Sequence, residues 1–472
     1  MVRPGRSIHH QMREEYMRRL VTAAVLLLPV SINAQGLPPV AAVAHVADSL
    51  AQAFIVAREA PSVAIGLVRG RDTITMRAWG KADLEQDVAA TPRSVYRIGS
   101  VTKQFTSAAV MQLVERGKVK LDDSIAAYLP TLPVAWRGVT VRQLLNHTSG
   151  IPSYTGIGAP WQRRWGEEMN PDTLVALTAN LPMWFAPGTN WRYDNSGYVV
   201  LGMLIEKITG HSWGTDIAER FAKPLGLDDT RDCLATPIVP RRARGYEKSG
   251  DGWMNTPYLA MSQPFSAGAM CSTVGDLAKW NRALNTGHVV SAASYTLMTT
   301  PAGAAVQSKY GFGIGMDTIA GRPAVVHGGG INGFITGNAW IPSAELSITV
   351  LTNSGSADSD ELLKQLARAA LGVPLVQPPK YLPLEPSARS RYVGVYALAF
   401  PNGPRDFTVA EEGDHLTGQL AGQQPIPMLY LGSDVFGVAF DRNLRLTFSV
   451  EGGRATRLTL LQGGQTITGP RR

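Results

Sequence analysis

Cysteine is scarce in this chain: Cys233 and Cys271 are the only two in 472 residues. No Cys-x-x-Cys pair or His-rich cluster accompanies them, so a zinc site is not indicated. Charged residues make up only 17%, with a net charge of +8. The positive excess is spread out. No Lys/Arg stripe is interleaved with aromatics, which argues against nucleic acid as a partner. No internal repeat is found, which sets solenoids and propellers aside. What remains is ordinary globular material: 44% hydrophobic residues, with 48 Gly and 31 Pro pointing to many turns and irregular connections. The length predicts two or three domains.

The first 34 residues differ from the rest. Arg18 and Arg19 precede an apolar run over 20–32, and the small residue Ala34 closes the segment. This is the pattern of a secretory signal peptide, and it predicts an exported protein, periplasmic or secreted. The run is short for a membrane helix, which needs about 20 apolar residues. Membrane association follows only if the segment is retained. Removing its five Arg and two Glu leaves a net +5. In an exported chain Cys233 and Cys271 form one disulfide, or stay two small buried residues that never meet.

Beyond the signal, residues 40–58 carry apolar side chains at helical spacing. Residues 61–68 and 73–79 read as paired strands around a turn at 69–72. Residues 100–114 predict an apolar, buried helix ending near Gly117. From about 140 to 300 helices and loops prevail, including helices over 196–209, 212–221 and 273–284. Strands return at 311–318, 323–327, 333–341 and 346–352, and an amphipathic helix follows over 358–371. This order predicts an α/β (α+β) domain over 35–373, with one antiparallel sheet built from both ends and flanked by helices. Five prolines between 374 and 386 mark a linker over 374–389. Over 390–472 short apolar runs alternate with Gly, Asn and Asp turns, which predicts a small all-β barrel or sandwich.

Three short motifs carry chemistry. Ser100-Val101-Thr102-Lys103 opens the buried helix. Positions i and i+3 share a helix face, so Ser100 and Lys103 point the same way. A serine hydroxyl is a weak nucleophile until something removes its proton. Neutral Lys103 can take that proton; ionised, it offsets charge on a neighbouring base. Tyr193-Asp194-Asn195 precedes the helix at 196. Beside a lysine the Tyr193 phenolate becomes accessible, and it can serve as base and then acid. Asn195 offers a donor and an acceptor to a substrate amide or to Lys103. His327-Gly328-Gly329-Gly330 ends a strand. Glycines there let a substrate backbone approach the edge. The N–H groups of Gly330 and Ser100 can form an oxyanion hole. Any one motif alone is a weak signal; the ordered set is specific.

That set resembles the serine β-lactamase and penicillin-binding-protein superfamily, in its class C β-lactamase, D,D-peptidase and carboxylesterase branch. Leu144-Leu145-Asn146-His147-Thr148-Ser149-Gly150, Phe185-Ala186-Pro187-Gly188, Ser266-Ala267-Gly268 and Leu351-Thr352-Asn353 add to the likeness. The resemblance implies Ser100 as nucleophile, Lys103 and Tyr193 as the proton-transfer pair, and Asn195 as substrate and Lys103 contact. It implies no cofactor and no metal. The residues from Tyr392 resemble the lipocalin-like domain of some members. One departure stands out. Penicillin-targeting members usually carry Lys-Thr-Gly where this chain has His327-Gly328-Gly329. A histidine with pKa about 6.5 is mostly neutral at pH 7, and Gly328 lacks a hydroxyl. Both changes weaken a grip on a carboxylate at the candidate substrate contacts His327, Gly328 and Gly329.

The expected function is therefore an exported serine hydrolase that cleaves esters, amides or peptides through a Ser100 acyl-enzyme. The expected partner is a small-molecule or peptide substrate. The alternative is a catalytically silent protein that keeps the fold to bind cell-wall peptide. His147 reads as a loop anchor, since a Ser-Lys-Tyr centre needs no histidine base. Trp161, Trp165, Trp184 and Trp191 either wall a cleft or pack a core. Oligomeric state is not legible.

Overall fold

The computed structural model describes residues 36–250, 252–377, 380–400, 403–438, 444–462 and 465–472. Residues 1–34, the expected signal peptide, lie outside the described residues. Two compact units divide the chain, with the boundary between Leu375 and Val376.

The first unit begins with helix α1 (Val40–Val56), strands β1 (Ser62–Arg69), β2 (Asp72–Asp83), β3 (Val88–Ala89) and β4 (Tyr96–Arg97), and the buried helix α2 (Thr102–Glu115). Helix α3 (Ser196–Thr209), strands β5 (Arg231–Asp232) and β6 (Met270–Ser272), and helix α4 (Val274–Asn285) follow. The run β7 (Gly315–Ile319), β8 (Arg322–Ile331), β9 (Phe334–Ile341) and β10 (Leu346–Thr352) leads to helix α5 (Ser359–Leu371). The main sheet has the order β3-β2-β1-β10-β9-β8-β7. Its N- and C-terminal contributions join where β1 pairs antiparallel with β10, Val63 opposite Thr352.

Side chains alternate across a strand, and β1 uses both faces. Val63, Ile65 and Leu67 pack against Val43, Ala47 and Ala51 of α1 and Leu362 and Leu366 of α5. Ala64 faces the opposite core, with Phe105 of α2 and Leu277 and Trp280 of α4. A sheet covered on both faces explains why β10 is buried along its whole length.

Helix α2 is enclosed on nearly all sides, every residue from Thr102 to Met111 being buried. Its polar side chains survive there because each finds a partner. Gln104 Oε1 accepts from Trp280 Nε1 at 3.0 Å, Thr106 Oγ1 donates to Ser266 O at 2.7 Å, and Ser107 Oγ meets Tyr198 Oη at 3.0 Å.

A small sheet, β4-β6-β5, corrects the disulfide expectation. Cys271 lies opposite Arg231, while Cys233 N–H donates to Ala269 O. The cysteines are thus diagonal neighbours. Both are buried free thiols. They do meet: the hydrogen bond with Cys271 pulls the Cys233 thiol pKa down, while burial pushes Cys271 up.

The second unit is a separate antiparallel sheet of eight strands in sequential order: β11 (Gly394–Phe400), β12 (Gly403–Glu412), β13 (His415–Leu420), β14 (Ile426–Gly432), β15 (Val435–Gly437), β16 (Arg445–Glu451), β17 (Arg454–Gln462) and β18 (Gln465–Pro470). Tyr396 of β11 bridges Arg471 just past β18, which brings first and last strands together as a nearly closed barrel. Its interior is filled by Tyr392, Tyr396, Phe407, Phe436, Phe448 and Leu458. Part of the proline-rich stretch packs here too: Leu382 N–H donates to Tyr430 O at 2.8 Å. Pro386 opens a one-turn helix (Pro386–Arg389) at the position that tolerates proline.

Candidate active site

Ser100 sits in a 3₁₀ turn (Gly99–Val101) that runs directly into α2. The turn is forced by glycine. Gly99 has φ +49°, and a Cβ there would lie 2.9 Å from Gly330 N. Gly329 is tighter still, since a Cβ would fall 1.9 Å from Ile98 O. The glycine run of β8 therefore packs backbone to backbone against residues 98–100. This juxtaposes the Ser100 and Gly330 main chains.

Lys103 lies one turn along and is fully buried. Its Nζ is 3.2 Å from Ser100 Oγ, 2.7 Å from Asn195 Oδ1 and 2.8 Å from Ala267 O. Burial lowers its pKa to about 7, against the opposing pull of Asp194. Asn195 occupies the N-cap position of α3, yet its side chain makes no capping bond. Oδ1 faces Lys103, and Nδ2 donates to Thr155 Oγ1 at 2.9 Å. The cap falls to Asp194 Oδ1, which accepts from Gly197 N–H at 2.5 Å.

Tyr193 closes the group. Lys103 Nζ stands 4.8 Å from its ring centroid. Its Oη is buried and makes no hydrogen bond. Burial raises the Tyr193 pKa; the nearby Ser100 hydroxyl, although outside hydrogen-bond geometry, pulls it the other way. This corrects the expectation of an accessible phenolate. Desolvation is the dominant effect on Tyr193 and favours the neutral phenol, while burial brings Lys103 down to about 7.

His327 is buried, and both ring nitrogens are engaged. Nδ1 is 2.6 Å from Gly328 O, a pure acceptor, so Nδ1 carries the proton. Nε2 then accepts from Tyr310 Oη at 2.8 Å. Burial and the positive Lys103 push its pKa down to about 3. His327 is thus a neutral residue whose two ring nitrogens are both engaged. Gly328 is open, with nothing nearer than Thr336 O at 3.6 Å from a Cβ position.

The tryptophans divide. Trp161 packs a core against Tyr154 and Trp165, each at 5.5 Å, and donates to Gln263 Oε1. Trp184 lies under the Arg192 guanidinium at 3.6 Å. Trp191 belongs to the site's aromatic group, beside His147 and Tyr310. Sequence reasoning missed Tyr310, Thr155 and the Ala267 carbonyl. Asp194 was visible as an aspartate three residues before an N-terminal helical N–H.

A hydroxyl, a buried amine with its pKa lowered to about 7 and a buried phenol gathered together fit a serine hydrolase with a Ser-Lys-Tyr centre. Comparison with known proteins gives the family. The Beta-lactamase family model matches residues 47–372, and the chain belongs to that family. It is 28% identical over 385 residues to penicillin-binding protein 4* of Bacillus subtilis (strain 168), covering 75% of this chain and 82% of that protein. It is 28% identical over 324 residues to a D-aminopeptidase of Brucella canis, covering 67% of this chain. There it spans only 61% of the relative's length. The crystal structure of a D-stereospecific amidohydrolase from a Streptomyces species superposes with a TM-score of 0.58 at 30% identity. That match covers 71% of this chain and 98% of the other.

Proposed function

We propose that this chain is an exported serine amidohydrolase that cleaves an amide or peptide bond adjoining a D-amino-acid residue through a Ser100 acyl-enzyme. One observation carries the chemistry: Lys103 is buried with two fixed acceptors, Asn195 Oδ1 and Ala267 O, besides the Ser100 hydroxyl. A neutral amine has two N–H donors and one lone pair. The two acceptors take the donors, which leaves the lone pair for the Ser100 proton. Ser100 Oγ then bonds the substrate carbonyl carbon while its proton moves to Lys103 Nζ. The developing oxyanion is held by the N–H groups of Ser100 and Gly330. The C–N bond breaks as the Tyr193 hydroxyl donates a proton to the leaving nitrogen, and Tyr193 is reprotonated from Lys103. Water resolves the ester by the same transfers in reverse. Asn195 orients Lys103 and contacts the substrate amide.

D-stereochemistry rests on the D-aminopeptidase and D-stereospecific amidohydrolase among the relatives. Export rests on the pattern of residues 1–34, and N-terminal sequencing of the mature protein tests it. Esters are the second reading, since the same centre acylates from either. Steady-state kinetics on D- and L-alanine amides, p-nitrophenyl acetate and nitrocefin test the assignment. The D-amide should exceed the L-amide in kcat/KM. Nitrocefin should fall well short of the efficient range of about 10⁶ M⁻¹s⁻¹, because His327 supplies no cation. An L-amide preference, or efficient nitrocefin turnover, overturns the reading.

A further inference from the structure

His147 is fully buried and takes part in none of the proton transfers above. No hydrogen bond joins it to Ser100 or Lys103, and burial lowers its pKa. It nevertheless grips the chain on both sides of Tyr193. The His147 carbonyl accepts from Arg192 N–H at 3.1 Å. Its ring Nδ1 accepts from Asp194 N–H at 3.2 Å. Between these two bonds the imidazole lies against the Tyr193 ring, centroids 4.2 Å apart. The backbone meets a cost to do this: His147 has φ +61°, a region most side chains avoid.

We infer that His147 is a positioning residue for Tyr193, holding residues 192 and 194 by two hydrogen bonds and the phenol ring by direct contact. The three contacts act on one side chain whose own Oη makes no hydrogen bond. The Ser100 hydroxyl lies near the tip of Tyr193 but makes no hydrogen bond with it, so the aim of the phenol is set chiefly from the backbone and the ring face. Because Nδ1 accepts from a backbone N–H, it is unprotonated and the ring is the neutral Nε2–H tautomer. Its 3.5 Å approach to Asp194 Oδ2 is therefore not an ion pair. This inference rests on the proposed role of Tyr193 in proton transfer.

Two variants separate positioning from general stability. His147→Asn keeps an acceptor near the place of Nδ1 and tolerates a left-handed backbone. His147→Gly relieves the backbone entirely but removes acceptor and ring. On a D-alanine amide, His147→Gly should lower kcat on the order of 10²-fold, as misplacement of a reacting group by about 1 Å does. KM should change by less than about threefold, since the ground-state substrate contacts are untouched. His147→Asn should recover most of the lost kcat and melt close to the parent, whereas His147→Gly empties a buried site and strands the Asp194 N–H, so its Tm should fall. Equal kcat in the two variants overturns the inference. Parent protein that turns over the amide without needing the Tyr193 hydroxyl overturns the Tyr193 role and the inference with it. A parent that turns over while His147→Gly matches it overturns only the inference. Should His147→Gly fail to fold, His147→Gln decides. Its amide sits one methylene too far to replace Nδ1, so it should fall well below His147→Asn in kcat; equality contradicts the assignment.

Discussion

Asn195 Oδ1 accepts from Lys103 Nζ at 2.7 Å, and this contact determines what the lysine has left to offer. With the Ala267 carbonyl at 2.8 Å it occupies the two N–H groups of a neutral amine. Ser100 is the remaining neighbour, at 3.2 Å.

Burial holds the Lys103 pKa at about 7. The neutral base is present above that pH, so kcat/KM for an amide should rise through about pH 7 and level off. The same shift affects stability. An unfolded lysine titrates near about 10.4. Between these two values the unfolded chain holds the extra proton, so stability should rise with pH; below about 7 both states are protonated and this contribution is flat. Urea unfolding at pH 6.5 and 9.5, compared with Lys103→Met, isolates it. A falling kcat/KM profile contradicts the assignment.

Tyr193→Phe should separate activity from folding. The hydroxyl makes no hydrogen bond, so its loss leaves no partner stranded. Tm should hold or rise, while kcat falls by about 10²–10⁴, the usual range for a lost acid–base group. Thermal melts and steady-state kinetics on the same preparation check both halves. Activity within a few-fold of the parent would remove Tyr193 from the mechanism.

Adjacent glycines should respond very differently. Gly328→Ala has room, with its nearest contact at 3.6 Å, and should keep activity within a few-fold. Gly329→Ala places a methyl 1.9 Å from Ile98 O, and backbone must move to admit it. It should cost about 1–3 kcal/mol and slow Ser100 acylation on the order of 10²-fold, since β8 is displaced from the nucleophile. Denaturant midpoints and acylation rates measure the contrast.

Thiol titration should find two reactive groups after denaturation without reductant and essentially none in the native protein, because Cys233 and Cys271 are buried and unbridged. One disulfide in the purified protein would contradict the free, buried state of the two thiols.

Much of this was legible locally. Helix 196–209 was bounded by pattern alone, and Thr273 and Asp358 do cap α4 and α5. Strands β1, β2 and β10 showed their period. Strands β11 and β18 escaped the reading, although each pairs antiparallel with its neighbour in sequence, β12 and β17. The Ser-Lys, Tyr-Asn and glycine motifs were visible because each is contiguous. Ala267 was not, since a backbone carbonyl has no side-chain signature. The protonation of Tyr193 was misjudged for a related reason: charge partners are visible in a sequence, while the depth of burial that overrides them is not.

The most direct test of the account is covalent labelling with a fluorophosphonate followed by peptide mass mapping. The account predicts a single adduct on the peptide containing Ser100, none in Ser100→Ala, and sharply slowed labelling in Lys103→Met. A Ser100→Ala protein that labels as fast as the parent, or a parent that cleaves amides while Ser100 stays unmodified, would contradict it.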